Sequence, residues 1–227
     1  MKQRCFLNKR VKRFFLFVLM LGCLHTTKLT AQHQVVSFSG GPGYYPLVDN
    51  SRAAVIRSDS ADYAVVQIAT IDLRRDLEAV TGKPVRKVWS GDFGNEIIIG
   101  TLGHSQVVDE LVNKAGLDLS SLKGQWEKFM IQVVDLPDRH LKHRRALAII
   151  GSDRRGTAYG VYELSKQIGV SPWHYFADVP TVRHKEVYIK QGSFVFGPPS
   201  IQYRGIFIND EGIGLGRWAR RVFDPKR

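Results

Sequence analysis

Asn209, Asp210 and Glu211 stand in a row at the end of an apolar run, Tyr203-Arg204-Gly205-Ile206-Phe207-Ile208. Polar groups delivered from the end of a buried strand are how many α/β enzymes present a site. Two carboxyl groups suggest acid–base hydrolysis of a glycosidic bond. That chemistry needs the pair about 5 Å apart for retention, or roughly 6.5–9.5 Å apart for inversion. Neighbouring residues of a strand point to opposite faces. Asp210 and Glu211 therefore do not form the pair together: one faces the site and the other holds the loop. No second carboxyl in the chain completes the arrangement, so no catalytic residue is assigned.

A second candidate is "GSDRRGTAYGVYELSKQIG", residues 151–169. Ser152 or Asp153 caps a helix there, and Arg154 and Arg155 project from its first turn. A helix N-terminus with two guanidiniums suits an anion such as a sugar carboxylate. The alternative is a strand–turn–helix junction with solvated arginines. Gly156 and Gly160, four apart, permit close packing on a sheet. Neither GxGxxG nor GK[ST] is present, and the seven histidines show no metal-ligand spacing, so neither cofactor nor metal is expected. "VSPWHYFADVP", residues 170–180, gathers Trp173, His174, Tyr175 and Phe176 on a loop. It serves either as a platform for sugar rings or as a plug at the domain edge. "DRHLKHRRA", residues 138–146, is basic, and its place between two strand-like runs marks a solvated hairpin tip.

The elements that must position these residues alternate. Strands are expected at 53–58, 85–89, 95–101, 128–135 and 145–153, with helices at 61–83, 105–116 and 155–169. Ile97-Ile98-Ile99 is the uninterrupted apolar type buried on both faces of a sheet. Ser105 and Gly116 read as the caps of the second helix. A Gly-rich lead, "SGGPGYY", precedes the first strand, and "EVYIKQGSFVF" follows the last helix. The first helix is expected to turn Val65, Ile68, Ile71 or Leu73, Leu77 and Val80 inward. The expectation is an α/β (α+β) fold, a mixed sheet flanked by helices. "FGPPS", residues 196–200, marks a linker, because Pro198-Pro199 breaks helix and central strand alike.

The formal charge of the 227-residue chain is +12, but residues 1–31 hold seven Lys or Arg and no acid. Without them 26 basic and 21 acidic residues remain, a net +5, which does not favour nucleic acid as a partner. That segment has the form of an export signal: a basic stretch, the apolar run 14–24, and a small-residue cleavage site after Ala31. A membrane span needs about twenty apolar residues, so no stable span is expected. Lipidation at Cys23 is the alternative to cleavage. Cys5 and Cys23 are the chain's only cysteines. The mature protein is therefore expected to have no disulfide and to hold together by packing.

The blocks "IIGSDRRGTAYGVYELSKQIGVSPWHYFADVP", "YRGIFINDE" and "GLGRWARRVFDP" together resemble the N-terminal region of glycoside hydrolase family 115, from about residue 35 onward. The resemblance implies xylan α-glucuronidase chemistry, the removal of glucuronic acid or its 4-O-methyl form with inversion. It implies a mixed α/β domain over 32–197, and over 198–227 the start of a TIM barrel whose first strand is 203–208. Such a barrel takes roughly 250 residues. On this reading the chain is exported, cut off at the barrel and inactive alone, with glucuronoxylan or its oligosaccharides as partner. Asn209 and Asp210 carry over as pocket residues with Glu211 beside them, and Arg154 and Arg155 as contacts to the uronate. The pattern departs where family members read "NDEDWGLxPWA": here it is "NDEGIGLGRWA". The alternative function is a cell-surface polysaccharide-binding or interaction module using the loop around Trp173.

Overall fold

A computed structural model describes residues 33–50, 52–88, 95–137, 144–209 and 213–223. Residues 1–32, the basic stretch 138–143, and Asp210 and Glu211 lie outside the described residues. The elements run β1 (Val36–Ser37), β2 (Tyr44–Val48), β3 (Val55–Ser58), α1 (Ala64–Thr81), β4 (Lys87–Val88), β5 (Asn95–Thr101) and α2 (Gln106–Ala115). They continue through β6 (Phe129–Leu136), β7 (Arg144–Gly151), α3 (Arg154–Gln167), β8 (Val187–Lys190), β9 (Ser193–Phe196) and α4 (Leu215–Phe223).

Six strands form one mixed sheet in the order β4-β3-β5-β7-β6-β9. β4, β3, β5 and β7 are parallel, while β6 and β9 join antiparallel. β6 and β7 pair from Phe129 opposite Gly151 to Leu136 opposite Arg144. Alternation divides the central strand. Ile97 and Ile99 face α1 and α3, whereas Ile98 faces α2 together with Ala148 and Ile150. Each fully buried isoleucine among them stabilises the fold by roughly 1.5–3 kcal/mol.

A second sheet, β1-β8-β2, is antiparallel and closes the α1/α3 side through Val36, Tyr45, Leu47 and Ile189. The Gly-rich lead thus runs into a strand rather than a coil, and "EVYIKQGSFVF" divides between the two sheets at Gly192. Short strands whose partners are remote in sequence leave little local signal. Tyr45 docks the small sheet on the large one. Its hydroxyl accepts from Glu96 N at 2.8 Å and donates to Glu96 O at 3.0 Å. Burial pushes its phenol well above the ordinary value of 10.0.

Helix α1 is turned from the expected face. Val66, Ala69, Thr70, Leu73, Leu77 and Val80 are buried, while Val65 and Ile68 are exposed. The two stripes overlap from Leu73 onward, and packing against α3 and the sheet selects the first one. Helix α2 begins at Ser105, whose hydroxyl accepts from Val108 N, and ends at Gly116 in a left-handed conformation.

β3 and β5 lie side by side, and the helices that follow them go to opposite faces of the sheet. In doubly wound folds the crevice between such strand ends receives ligands. Here two aspartates fill it. Asp62 accepts from Thr101 N and Tyr63 N at 2.8 and 2.7 Å. Asp59 accepts from Gln106 N and Ala61 N, both at 2.8 Å. The β3–α1 and β5–α2 loops are thereby laced together.

One buried cluster went unread in the sequence. Glu96, fully buried, takes Arg57 Nε at 3.0 Å and Arg144 Nη2 at 2.5 Å. The three residues come from the adjacent strands β3, β5 and β7.

Candidate functional site

The junction of β7 and α3 is built from backbone donors. Asp153 is the cap: Oδ1 accepts from Gly156 N at 2.7 Å, and Oδ2 accepts from Glu127 N at 2.8 Å. Ser152 Oγ accepts from Lys128 N at 3.0 Å. The helix start is thus bonded to the segment leading into β6. A Cβ at Gly156 would stand 2.5 Å from Lys128 O, and one at Gly160 would stand 2.8 Å from Ile149 Cγ2. The two glycines serve close packing.

Arg154 and Arg155 do not converge. Consecutive helical residues face different directions. The Arg154 guanidinium lies 5.9 Å from the centre of the Tyr63 ring, which itself stacks on His104 at 4.0 Å. Arg155 turns the other way, pairing with Glu127 Oε1 at 2.9 Å and donating to Tyr159 Oη at 2.8 Å.

Glu127 is the residue that motif reading missed. It is buried, 6% exposed, and has a φ of 50°, a left-handed conformation that a bulky residue rarely takes. Its carboxylate also takes the guanidinium of Arg204, which reaches Tyr159 Oη at 3.4 Å as well. Arg204 therefore ties the segment after the Pro198-Pro199 linker to α3. The i,i+4 spacing of Arg155 and Tyr159 was legible on a helix; Glu127 carries no local mark.

Residues 203–208, expected as the first strand of a barrel, have no strand partner among the described residues. They bond to no neighbouring strand and lie exposed, with Phe207 93% accessible. A strand needs a partner for its backbone groups, and among the described residues none stands beside this segment. Asn209 is exposed at its end, and its carbonyl accepts from Leu215 N at 3.0 Å. Helix α4 then returns over the aromatic loop. Trp218 stacks on Phe176 at 5.0 Å and donates from Nε1 to Tyr175 O at 3.0 Å. The loop therefore props up the following segment, while Trp173 and Tyr175 remain more than half exposed. Trp173, Phe176, residues 206–209, Leu215 and Trp218 enclose a largely apolar groove of about 360 Å³. His174 Nδ1 lies 2.9 Å from Val179 O, a structural contact. Among the described residues no cluster of metal-ligating side chains occurs, and no helix is long and apolar enough to cross a membrane.

No protein-family model and no curated protein sequence matches this chain. Solved structures do. One is BtGH115A, a family GH115 4-O-methyl-α-glucuronidase with specificity for decorated arabinogalactans: 33% identity, TM-score 0.63, covering 81% of this chain and 22% of that one. CpGH84D matches at 12% identity and a TM-score of 0.41, covering 70% of this chain and 22% of that one. The Streptomyces plicatus N-acetyl-β-hexosaminidase matches at 14% and 0.33, covering 66% of this chain and 24% of that one. The chain thus spans about a fifth of the length of BtGH115A. At that identity and that agreement in shape, the mixed sheet with its flanking helices is a GH115-like fold.

Proposed function

We propose that this chain is the N-terminal part of an exported glycosidase that removes glucuronic acid, or its 4-O-methyl form, from polysaccharide side chains with inversion. The observation that carries this is the 33% identity to a 4-O-methyl-α-glucuronidase over 81% of the chain. Residues 32–197 form the leading domain, and 198–227 open the catalytic barrel. Asn209, Asp210 and Glu211 line the pocket of that barrel. The chemistry belongs to the barrel, and the leading domain by itself is expected to perform no turnover. The polymer is glucuronoxylan in the sequence reading and a decorated arabinogalactan for the structural neighbour; glucuronic acid branches are common to both proposals.

The test is incubation of the purified chain with glucuronoxylan and with decorated arabinogalactan. No uronic acid is expected from either. The coding sequence beyond codon 227 is expected to continue into the barrel. Release of uronic acid by the chain alone would overturn the placing of the chemistry in the barrel, and a coding sequence that continues into an unrelated domain would overturn the proposal.

A second reading, a polysaccharide-binding or interaction module, is favoured by one observation: the exposure of Trp173 and Tyr175 on the aromatic loop. It predicts retardation in polysaccharide gels that Trp173→Ala abolishes.

A further inference from the structure

A cavity of about 230 Å³ lies between α1, α3 and the start of the aromatic loop. That is below the roughly 300–1,000 Å³ of drug-sized sites, so only a small ligand fits. Val170, Pro172 and the rings of Tyr162 and Tyr175 give it largely apolar walls. Asp72 and Asp76, one turn apart on α1, supply its two carboxyl groups, and Lys166 and His174 its basic ones.

Three of these four groups are already engaged. Asp72 accepts from Tyr162 Oη at 2.7 Å and lies 3.6 Å from Arg75. Lys166 pairs with Glu163 at 3.6 Å. His174 Nδ1 lies 2.9 Å from Val179 O, and a carbonyl only accepts, so Nδ1 carries a proton and the ring can stay neutral. Asp76 has no ion pair among the described residues. With a neutral imidazole, two acids face one base across the cavity. Counting the outer partners Arg75 and Glu163 leaves the same single negative charge, on Asp76. Burial holds the Asp76 carboxyl above the ordinary 3.8, and Asp72 adds to the shift; Ser165 and His174 oppose it without cancelling it.

Ser165 is a second, separate sign. It lines the same cavity from α3, is 3% exposed, and its hydroxyl finds no hydrogen-bond partner. It stands near enough to Asp76 to favour the ionised carboxyl, yet the geometry of a bond is not met. Buried hydroxyls are seldom left so. An unmatched carboxylate and an unpartnered oxygen, among aromatic rings, suit a cation that carries N–H groups. An ammonium group has three donors and no acceptor, and it is attracted to aromatic faces. A bare metal ion is poorly served, since no cluster of three metal-ligating side chains occurs among the described residues.

We infer that this cavity binds a small primary ammonium ion, its nitrogen held by Asp76 and Ser165 and its carbon chain lying against Pro172, Tyr162 and Tyr175. The site is distinct from the pocket at Asn209 and does not depend on the glycosidase reading.

The experiment is a titration of the full chain near neutral pH, followed by amide ¹H–¹⁵N spectra, with n-butylammonium, 1-butanol and tetramethylammonium. Butylammonium at about 10 mM, the regime of weak binding, is expected to shift the amides of Asp76, Ser165, Ser171 and His174. Butanol, which lacks the charge, and tetramethylammonium, which lacks N–H donors, are each expected to shift them far less. Asp76→Asn keeps the shape and removes the charge, and is expected to weaken binding about tenfold. A second measurement needs no variant. A bound ammonium favours the ionised carboxyl, so the titration midpoint of Asp76 is expected to fall when butylammonium is added. For the same reason affinity is expected to rise as pH goes from acid to neutral. The inference is overturned by unmoved cavity amides, by butanol or tetramethylammonium matching butylammonium, by an unchanged affinity in Asp76→Asn, or by an unmoved midpoint. Release of uronic acid, or its absence, bears on the glycosidase reading alone.

Discussion

The sheet domain and the segment after Pro199 are built on opposite principles. In the sheet domain the central strands β3, β5 and β7 bury all their apolar residues, and the one buried acid of β5 is matched by two arginines. In the segment 201–223, Ile201, Tyr203, Ile206, Phe207, Ile213 and Phe223 are exposed, and α4 buries none of its residues. What holds that segment is a few directional contacts: Arg204 to Glu127, Trp218 to Tyr175 and Phe176, and Arg221 to Asp178 at 3.7 Å. The lesson is that hydrophobic burial makes one region a folded body, whereas polar anchors merely moor the other to it. Exposed apolar area on this scale marks a surface made to meet something.

That contrast can be broken at several points. The largest effect is expected in the sheet. Glu96→Ala leaves Arg57 and Arg144 buried without a counter-charge, a loss of about 3–5 kcal/mol, to be read by urea unfolding. A loss below about 1 kcal/mol would show that solvent reaches the cluster. A smaller effect, and one with a sign, is expected at Asp76 beneath the aromatic loop. Burial holds its carboxyl above the ordinary 3.8, with repulsion from Asp72 adding to the shift. The folded state therefore binds that proton more tightly than the unfolded chain. The associated stability is complete below 3.8 and is lost as pH rises through the raised folded value. Asp76→Asn escapes the loss, so the variant should gain on the parent as pH rises from acid to neutral. An equal offset at every pH would contradict this. The smallest effect is expected in the moored segment. Phe207→Ser should change stability by less than about 0.5 kcal/mol while raising solubility. A loss of several kcal/mol would mean that the segment belongs to the core after all.

How much was legible follows the same division. Ile97-Ile98-Ile99, the Ser105 and Gly116 caps and the glycines of 151–160 announced β5, α2 and the close approach of α3, because each is a local rule obeyed locally. The lead strand β2, the split between β8 and β9, and the Glu96 and Glu127 clusters were silent. Their partners are remote in sequence, and one buried acid looks like any other in a string of letters. The inward face of α1 was misjudged for a related reason: two stripes are possible up to Leu73, and only the neighbour decides. At the site, Arg154 and Arg155 were found as residues but not as directions, and Arg204 went unnoticed inside a run read only as a strand. Asn209 is exposed, its carbonyl held by Leu215 N.

The lacing of the β3–α1 and β5–α2 loops by Asp59 and Asp62 has its own consequence. The amide hydrogens that a nucleotide phosphate would seek at that edge are already engaged, four of them by two side chains of the same sign as the phosphate. A doubly wound layout has here been converted from a receptacle into a bracket.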